Sequence, residues 1–274
     1  MFCDYGKSVR VWQGENLLSH ENITHFVTTR SGGNSGPPFE SMNLGLSSGD
    51  NPIRVMENRR RLASALGFSM ECMVTSWQVH GDNVRIITRK SIAEDISYRK
   101  IPRVSADAMI TDMPDVCITV VVADCAPVLF YDPEKIIIGI AHAGWRGTVK
   151  GIAGKVVRTL EKKFGCSPTD IIADIGPSIG PCCYEVGPEV INDVRENFEY
   201  ADELIKNADN KGHGYFDLWQ ANRRQLLEAG LSENNVEMSD QCTMCNQEIF
   251  YSYRAEGSKS GRMAAGIMLN SRDQ

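Results

Sequence analysis

Two apolar runs back to back, VCITVVVADCAPVLFY and IIIGIAHA, flank the turn signal Asp132-Pro133-Glu134-Lys135 and constrain this chain more than any other stretch. Residues 116 to 147 read as two apolar strands around a tight turn. The runs carry three residues that such strands have little use for: Asp124 and Cys125 inside the first, and His142 at the end of the second. A two-residue hairpin loop at Pro133-Glu134 would set Cys125 directly opposite His142, with Cα atoms about 4.5–5.5 Å apart and both side chains on one face. A bulge near Pro127 would shift that register.

The rest of the chain alternates strand and helix signals. HFVTTR (25–30) reads as a strand, and SGGNSGPPFESMNLGLSSGD (31–50) as a long Gly, Ser and Pro-rich loop of the kind that carries binding residues. Asp50 is placed as the cap of a helix with Pro52 in its first turn, Val55, Leu62 and Leu66 on its apolar face, and Gly67 as its stop. VTSWQVHGDNVRIIT (74–88) reads as strand, turn and strand with His80-Gly81-Asp82-Asn83 at the bend, followed by a polar loop over roughly 89–105 and the strand DAMIT. Helical spacing is expected over 148–165, near 188–198, and from the cap Asp217 to about Ala229, with strands at DIIADIGP, EIFYSYR and MAAGIML. No repeat and no clean linker interrupts this pattern, so residues 1–274 are expected to form a single α/β or α+β domain.

Composition narrows the partners. With 29 Lys and Arg against 35 Asp and Glu, the net charge of -6 offers no broad footprint for nucleic acid or an anionic membrane, and a small-molecule partner is expected. Charge and polarity run through residues 1–20, no stretch reaches membrane-spanning length, and the nine cysteines are an odd number, which together predict a cytoplasmic protein with reduced thiols or metal ligands.

A thiolate and an imidazole on one face can share a cation. Cys with two His leaves one coordination position open, as in catalytic zinc sites, and the same donors accept copper. The third ligand has to come from elsewhere, and His80, in a loop and followed by a flexible glycine, is the best placed of the four other histidines. A Cys and a His on a core hairpin can equally be packed side chains. The neighbouring Asp124 and the polar HAGWRGT segment favour the ligand assignment, with Asp124 as a general base or as a carboxylate that holds a ligand by a hydrogen bond. HAGWRGT leads through Gly144 and Gly147 into a helix expected to begin near Thr148, and its free N–H groups beside Arg146 suit a phosphate or carboxylate. Cys182-Cys183 and Cys242-Thr243-Met244-Cys245 could form a second set of ligands for a structural zinc, but vicinal cysteines are poor chelators, and Cys242 and Cys245 are expected to line a core or pocket wall as reduced thiols. Neither GxxxxGK[ST] nor GxGxxG occurs.

The segments TSWQVHGDNV, ADCAPVLFYDP, IAHAGWRGT, IGPSIGPCCYEVG, FDLWQANRRQLLEAG and CTMCNQEIFYSYRAEG, spread over residues 25 to 269, resemble the bacterial YfiH/YlmD-like family. That family has been described first as polyphenol oxidase or laccase and later as purine nucleoside phosphorylase. The resemblance implies a four-layer αββα fold akin to cysteine hydrolases, and Zn²⁺ held by His80, Cys125 and His142. It also implies phosphorolysis of adenosine, inosine, guanosine and S-methyl-5'-thioadenosine, and deamination of adenosine to inosine.

Beside that resemblance, the residues suggest roles for themselves. Arg146 would hold phosphate, and Asn43 and Arg59 would contact phosphate or sugar hydroxyls unless they only brace their surroundings. The same two readings apply to Gln78 and Tyr184. Deamination would use a water activated at the zinc held by Cys125, His80 and His142, with Asp124 or a neighbouring carboxylate moving protons. The H-x-E and P-C-x-x-C elements of the base deaminases are not present in full. Five histidines without a His-x-His pair are too few for a multicopper oxidase, which leaves single-copper phenol oxidation, or a non-catalytic metal-binding protein, as the alternatives.

Overall fold

The computed structural model describes residues 1–6, 9–97 and 104–271, of which the side chains of 94–97 are not described. Two six-stranded sheets form its centre. The first runs β1 (Phe2–Tyr5), β2 (Val9–Trp12), β3 (Ile23–Thr28), β15 (Met263–Leu269), β7 (Cys117–Val122), β4 (Met73–Val74). The second runs β14 (Val236–Met238), β10 (Ile172–Ile175), β8 (Ala126–Asp132), β9 (Ile137–Ala143), β6 (Ala108–Thr111), β5 (Val84–Ile86). A small third sheet joins β11 (Glu185–Val186), β13 (Gly214–Phe216) and β12 (Ile205–Lys206).

Period-two alternation explains the layering. On β8, Leu129 and Tyr131 face the other sheet, and on β9 so do Ile138 and Ile140; there they meet Ile118, Val120 and Val122 of β7 and Ala265 and Ile267 of β15. The alternate residues Val128, Phe130, Ala141 and Ala143 turn outward onto α5 (Ile152–Phe164) and α8 (Leu218–Glu228). On the far side of the first sheet, Val11, Phe26 and Ala264 pack with Leu62 of α2 (Pro52–Ala65). The order is therefore helix, sheet, sheet, helix, the four-layer α+β arrangement expected, and both central sheets are buried on two faces.

Several local expectations change. The first apolar run is two strands, not one: β7 belongs to the first sheet and β8 to the second, and the chain turns between them at Asp124, which adopts φ 84. The β8–β9 turn is longer than expected, spanning residues 133–136, because Asp132 Oδ1 accepts from the N–H groups of both Glu134 and Lys135, 2.9 Å each, and Ile136 takes φ 54. His142 consequently faces Pro127, and Cys125 lies two residues beyond, off the end of β8.

The segment 74–88 is not a hairpin, since β4 and β5 sit in different sheets and the HGDN bend carries the chain from one to the other. Residues 89–97 form helix α3 where a loop was expected, and 98–103 of that loop lie outside the described residues. The helix expected over 148–165 is broken: α4 (Trp145–Val149) ends before α5 because Gly151 adopts φ 78, which a residue with a Cβ resists. Asn51 rather than Asp50 caps α2, accepting from Ile53 N at 2.9 Å. EIFYSYR is not a strand; it ends in the short helix α9 (Tyr253–Glu256). Among the described residues no helix is long and apolar enough to cross a membrane.

One buried group works against the fold. Asp174 on β10 is fully buried, and neither carboxylate oxygen has a hydrogen-bond partner. Burial, and then the charge of Glu237, push its carboxyl well above the usual range, so the folded chain keeps a proton at pH values where the unfolded chain has already released it. Its contribution to stability is thus complete below the ordinary carboxyl pKa and declines as pH rises towards the folded value. Asp174→Asn, which cannot ionise, is expected to flatten that decline, so that its stability relative to the unaltered chain rises with pH. Urea melts of both proteins between pH 4 and 8 read this directly; equal slopes would contradict it.

Candidate metal centre

The two sheets meet at a corner where three chain segments converge. His80 lies on the β4–β5 crossing, Cys125 on the β7–β8 crossing and His142 at the end of β9. Their ligating atoms all lie within 4.8 Å of one another, and the imidazole rings stand edge to face, centroids 4.9 Å apart at 75°. His80 is exposed, Cys125 half-buried and His142 buried, so the cluster opens to solvent on one side. The trio chosen from the sequence is thus brought together, although by two sheet crossings and not by the hairpin register that suggested it.

Asp107 orders this corner and was passed over in the sequence, where it only heads the strand AMIT. It is fully buried, and its Oδ1 lies 2.9 Å from His142 Nδ1. The same carboxylate accepts from the successive N–H groups of Val79 (3.2 Å), His80 (3.0 Å) and Gly81 (2.7 Å), a backbone nest closed by His80 at φ 57. The His142 N–H in turn donates to the Asp107 carbonyl at 2.6 Å. One buried carboxylate therefore fixes the His80 loop and claims the Nδ1–H of His142, leaving Nε2 as the ligand atom. The signal was available: a carboxylate at the head of an otherwise fully buried strand needs partners.

Electrostatics agree with a cation-binding set. Burial alone would raise the Cys125 thiol, but His142 and then His80 outweigh it and bring the thiol down to about 6. Burial likewise opposes charge on His142, yet Cys125 and Asp107 lift it to about 9. Each group favours the charged form of the other, thiolate beside imidazolium, and a divalent cation would exchange for that proton. A soft thiolate with two imidazoles and an open side suits Zn²⁺ or copper by donor chemistry.

Gly144 closes the back of the cluster. A Cβ there would lie 2.9 Å from Cys125 Sγ and 3.4 Å from His80 Cδ2. Gly144→Ala is expected to displace both ligands and weaken metal binding roughly tenfold, in line with the ~1–3 kcal/mol cost of overpacking. Competition with a chromogenic chelator measures it, and unchanged affinity would contradict the packing.

A family model described as multi-copper polyphenol oxidoreductase laccase matches residues 24–270. Purine nucleoside phosphorylase YlmD of Geobacillus stearothermophilus is 40% identical over 244 residues, covering 88% of each chain. The chain belongs to the YfiH/YlmD family. A protein from an unknown prokaryotic organism, named adenosine deaminase RL5, is 34% identical and covers 91% of this chain and 95% of its own. The crystal structure of YfiH from Bacillus licheniformis superposes with a TM-score of 0.89 at 34% identity, covering 98% of this chain and 99% of that one.

Within this YfiH/YlmD-family chain, the other candidate residues take varied places. Asp124 Oδ1 accepts from Thr243 Oγ1 and Oδ2 from Arg254 N, both at 2.6 Å. With both oxygens so engaged, it fastens the 243 and 254 segments to the corner. Gln78 likewise braces, bonding both the N–H and the C=O of Val121 at 2.8 and 2.9 Å. Asn43 is fully buried and ties Ser48, Asp50, Gly45 N and Arg262 N together, while Arg59 gives Nε and Nη2 to the Leu44 carbonyl at 3.0 and 2.7 Å. Both residues thus support the loop beneath Arg262, which the sequence reading did not single out.

Arg146 is exposed, stacked 4.2 Å over Trp145 and 3.3 Å from Glu189 Oε1. Helix α4 begins at Trp145, not Thr148, and its five residues are too few for the helix-end anion site expected there. Tyr184 packs in this region: burial and then Cys125 push its phenol up, while Arg254, 5.2 Å from the ring, and Arg146 oppose the shift. Arg262 feels the charges of Cys125 and Asp124 and stands 5.3 Å over the Tyr253 ring. The remaining histidines lie elsewhere: His25 is buried in β3, His20 edges Tyr131, and His213 pairs with Asp209. Cys242 and Cys245, expected to line a core or pocket wall, come together with Cys182 and Cys183 as a second cluster.

Proposed function

We propose that this chain is a zinc-dependent purine nucleoside phosphorylase that also deaminates adenosine. The observation that carries the reading is the open thiolate and imidazole trio set beside Tyr184 and the guanidinium groups of Arg146, Arg254 and Arg262. The names of the phosphorylase and deaminase relatives support it. Adenosine, inosine, guanosine and S-methyl-5'-thioadenosine are the proposed substrates, each cleaved with phosphate to free base and pentose 1-phosphate.

When bound, Zn²⁺ supplies Lewis acidity at the open side of the trio. Arg262 and Arg254 hold the phosphate dianion against the sugar, with Arg146 at the rim, and Asn43 and Arg59 keep the Arg262 loop in place. Trp77, Val79 and Tyr253 are exposed apolar side chains and the proposed contacts for the purine. Asp107 holds His142 in one tautomer throughout.

Incubating the pure protein with adenosine, with and without phosphate, and separating the products tests the proposal. Adenine formed only with phosphate, and inosine formed independently of it, are expected. Failure to form either product overturns it. The family's laccase description favours a second reading, single-copper phenol oxidation at the same trio, which predicts phenol turnover that tracks added copper.

A further inference from the structure

We propose that Cys182, Cys183, Cys242 and Cys245 form a second, closed metal site that holds one Zn²⁺ as a structural ion, distinct from the open His80, Cys125 and His142 centre. All four sulfurs lie within 4.8 Å of one another, with Cys245 Sγ 3.5 Å from Cys182 Sγ and 3.4 Å from Cys183 Sγ. Four thiolates bound tetrahedrally at about 2.3 Å from zinc stand roughly 3.8 Å apart, close to this spacing. A disulfide would hold two of them at about 2.0 Å.

The sequence objection, that vicinal cysteines chelate poorly, is answered by the local backbone. Residues 180–184 wind into a turn in which Cys183 N and Tyr184 N both donate to the Gly180 carbonyl at 3.0 Å. That turn directs both neighbouring sulfurs onto Cys245. On the other side, Cys242-Thr243-Met244-Cys245 curls into a knuckle with Asn246 N donating to the Cys242 carbonyl at 3.1 Å. Gly180 N donates to Cys242 Sγ at 3.3 Å, the kind of N–H contact that offsets charge on a ligating thiolate.

Burial is graded across the cluster. Cys242 is buried, Cys183 half-buried, and Cys182 and Cys245 exposed, so an ion can enter from one side and finish with sulfur all round it. Four soft donors select zinc over hard cations and leave no vacant position for a substrate, which makes the site structural. Its effect is to staple two segments that wall the open centre. One carries Tyr184; the other carries Thr243, which holds Asp124.

Metal analysis of protein purified without added metal, in reductant, tests the site. The unaltered chain is expected to carry close to two zinc ions, the double variant His80→Ala/Cys125→Ala one, and Cys245→Ser one together with a lower melting temperature. Cobalt loaded into the double variant should show thiolate-to-cobalt charge-transfer absorption of the intensity four thiolates give. A double variant that binds no zinc or cobalt after loading and desalting overturns the proposal even if Cys245→Ser fails to fold. So does mass-spectrometric detection of a Cys182–Cys245 disulfide as the prevailing form in reductant. Nucleoside turnover is not part of the readout, so the outcome stands apart from the proposed catalytic activity.

Discussion

Cys125→Ala is expected to remove the metal equivalent held by the corner trio and to bring nucleoside turnover to background. The loss should be roughly 10²–10³-fold or more, the scale of deleting an electrostatic stabiliser from an active site. The reasoning is local. Cys125 sits between β7 and β8, off the end of both strands, so the substitution deletes a ligand without opening a cavity in either central layer. Only small changes in melting temperature are expected. Two neutral imidazoles with one anchored by Asp107 hold a divalent ion far more weakly than the same pair with a thiolate. Plasma mass spectrometry together with chromatographic assay checks both parts, and undiminished metal content with full turnover would refute the assignment of the trio.

The second large effect concerns a residue that touches no substrate. Asp107→Asn keeps the size of the side chain but turns an NH₂ group towards donors that now meet a carboxylate, namely the N–H groups of Val79, His80 and Gly81 and the ring of His142. The expected loss is about 10–100-fold in metal affinity, as for other outer partners of ligating histidines. Excess zinc should restore much of the turnover in Asp107→Asn and none in Cys125→Ala. That difference separates a residue that positions a ligand from the ligand itself. Equal affinity in Asp107→Asn and the unaltered chain would show that the carboxylate does not order the corner.

The sequence disclosed the composition of the centre better than its geometry. Thiol and imidazole stood out because they interrupt apolar runs, and an apolar run tolerates such groups only with a partner. What could not be seen is that the first run changes sheets at Asp124. A strand buried on both faces has the same apolar pattern in either sheet, and the turn there uses a positive φ at a residue other than glycine, which leaves no composition signal. The loop over 133–136 was misjudged for a related reason: Asp-Pro-Glu-Lys marks a turn without fixing its length. Asp107 was missed because the groups its carboxylate binds are 26 or more residues away, and Arg262 because Asn43, which holds its N–H, is 219 residues away, beyond any local pattern. The helices from Pro188 and Leu218 and the strand at Met263 were legible because each carries its own periodicity and, for the helices, a start signal.

Two of the three ligands ride on passages from one central sheet to the other: His80 between β4 and β5, and Cys125 between β7 and β8. A cation gripped there acts as a rivet through the sandwich, and sliding one sheet against its neighbour by even an ångström would spread the donors. With an ion held there, the alignment of the whole apolar interior would be coupled to a single cation at its rim.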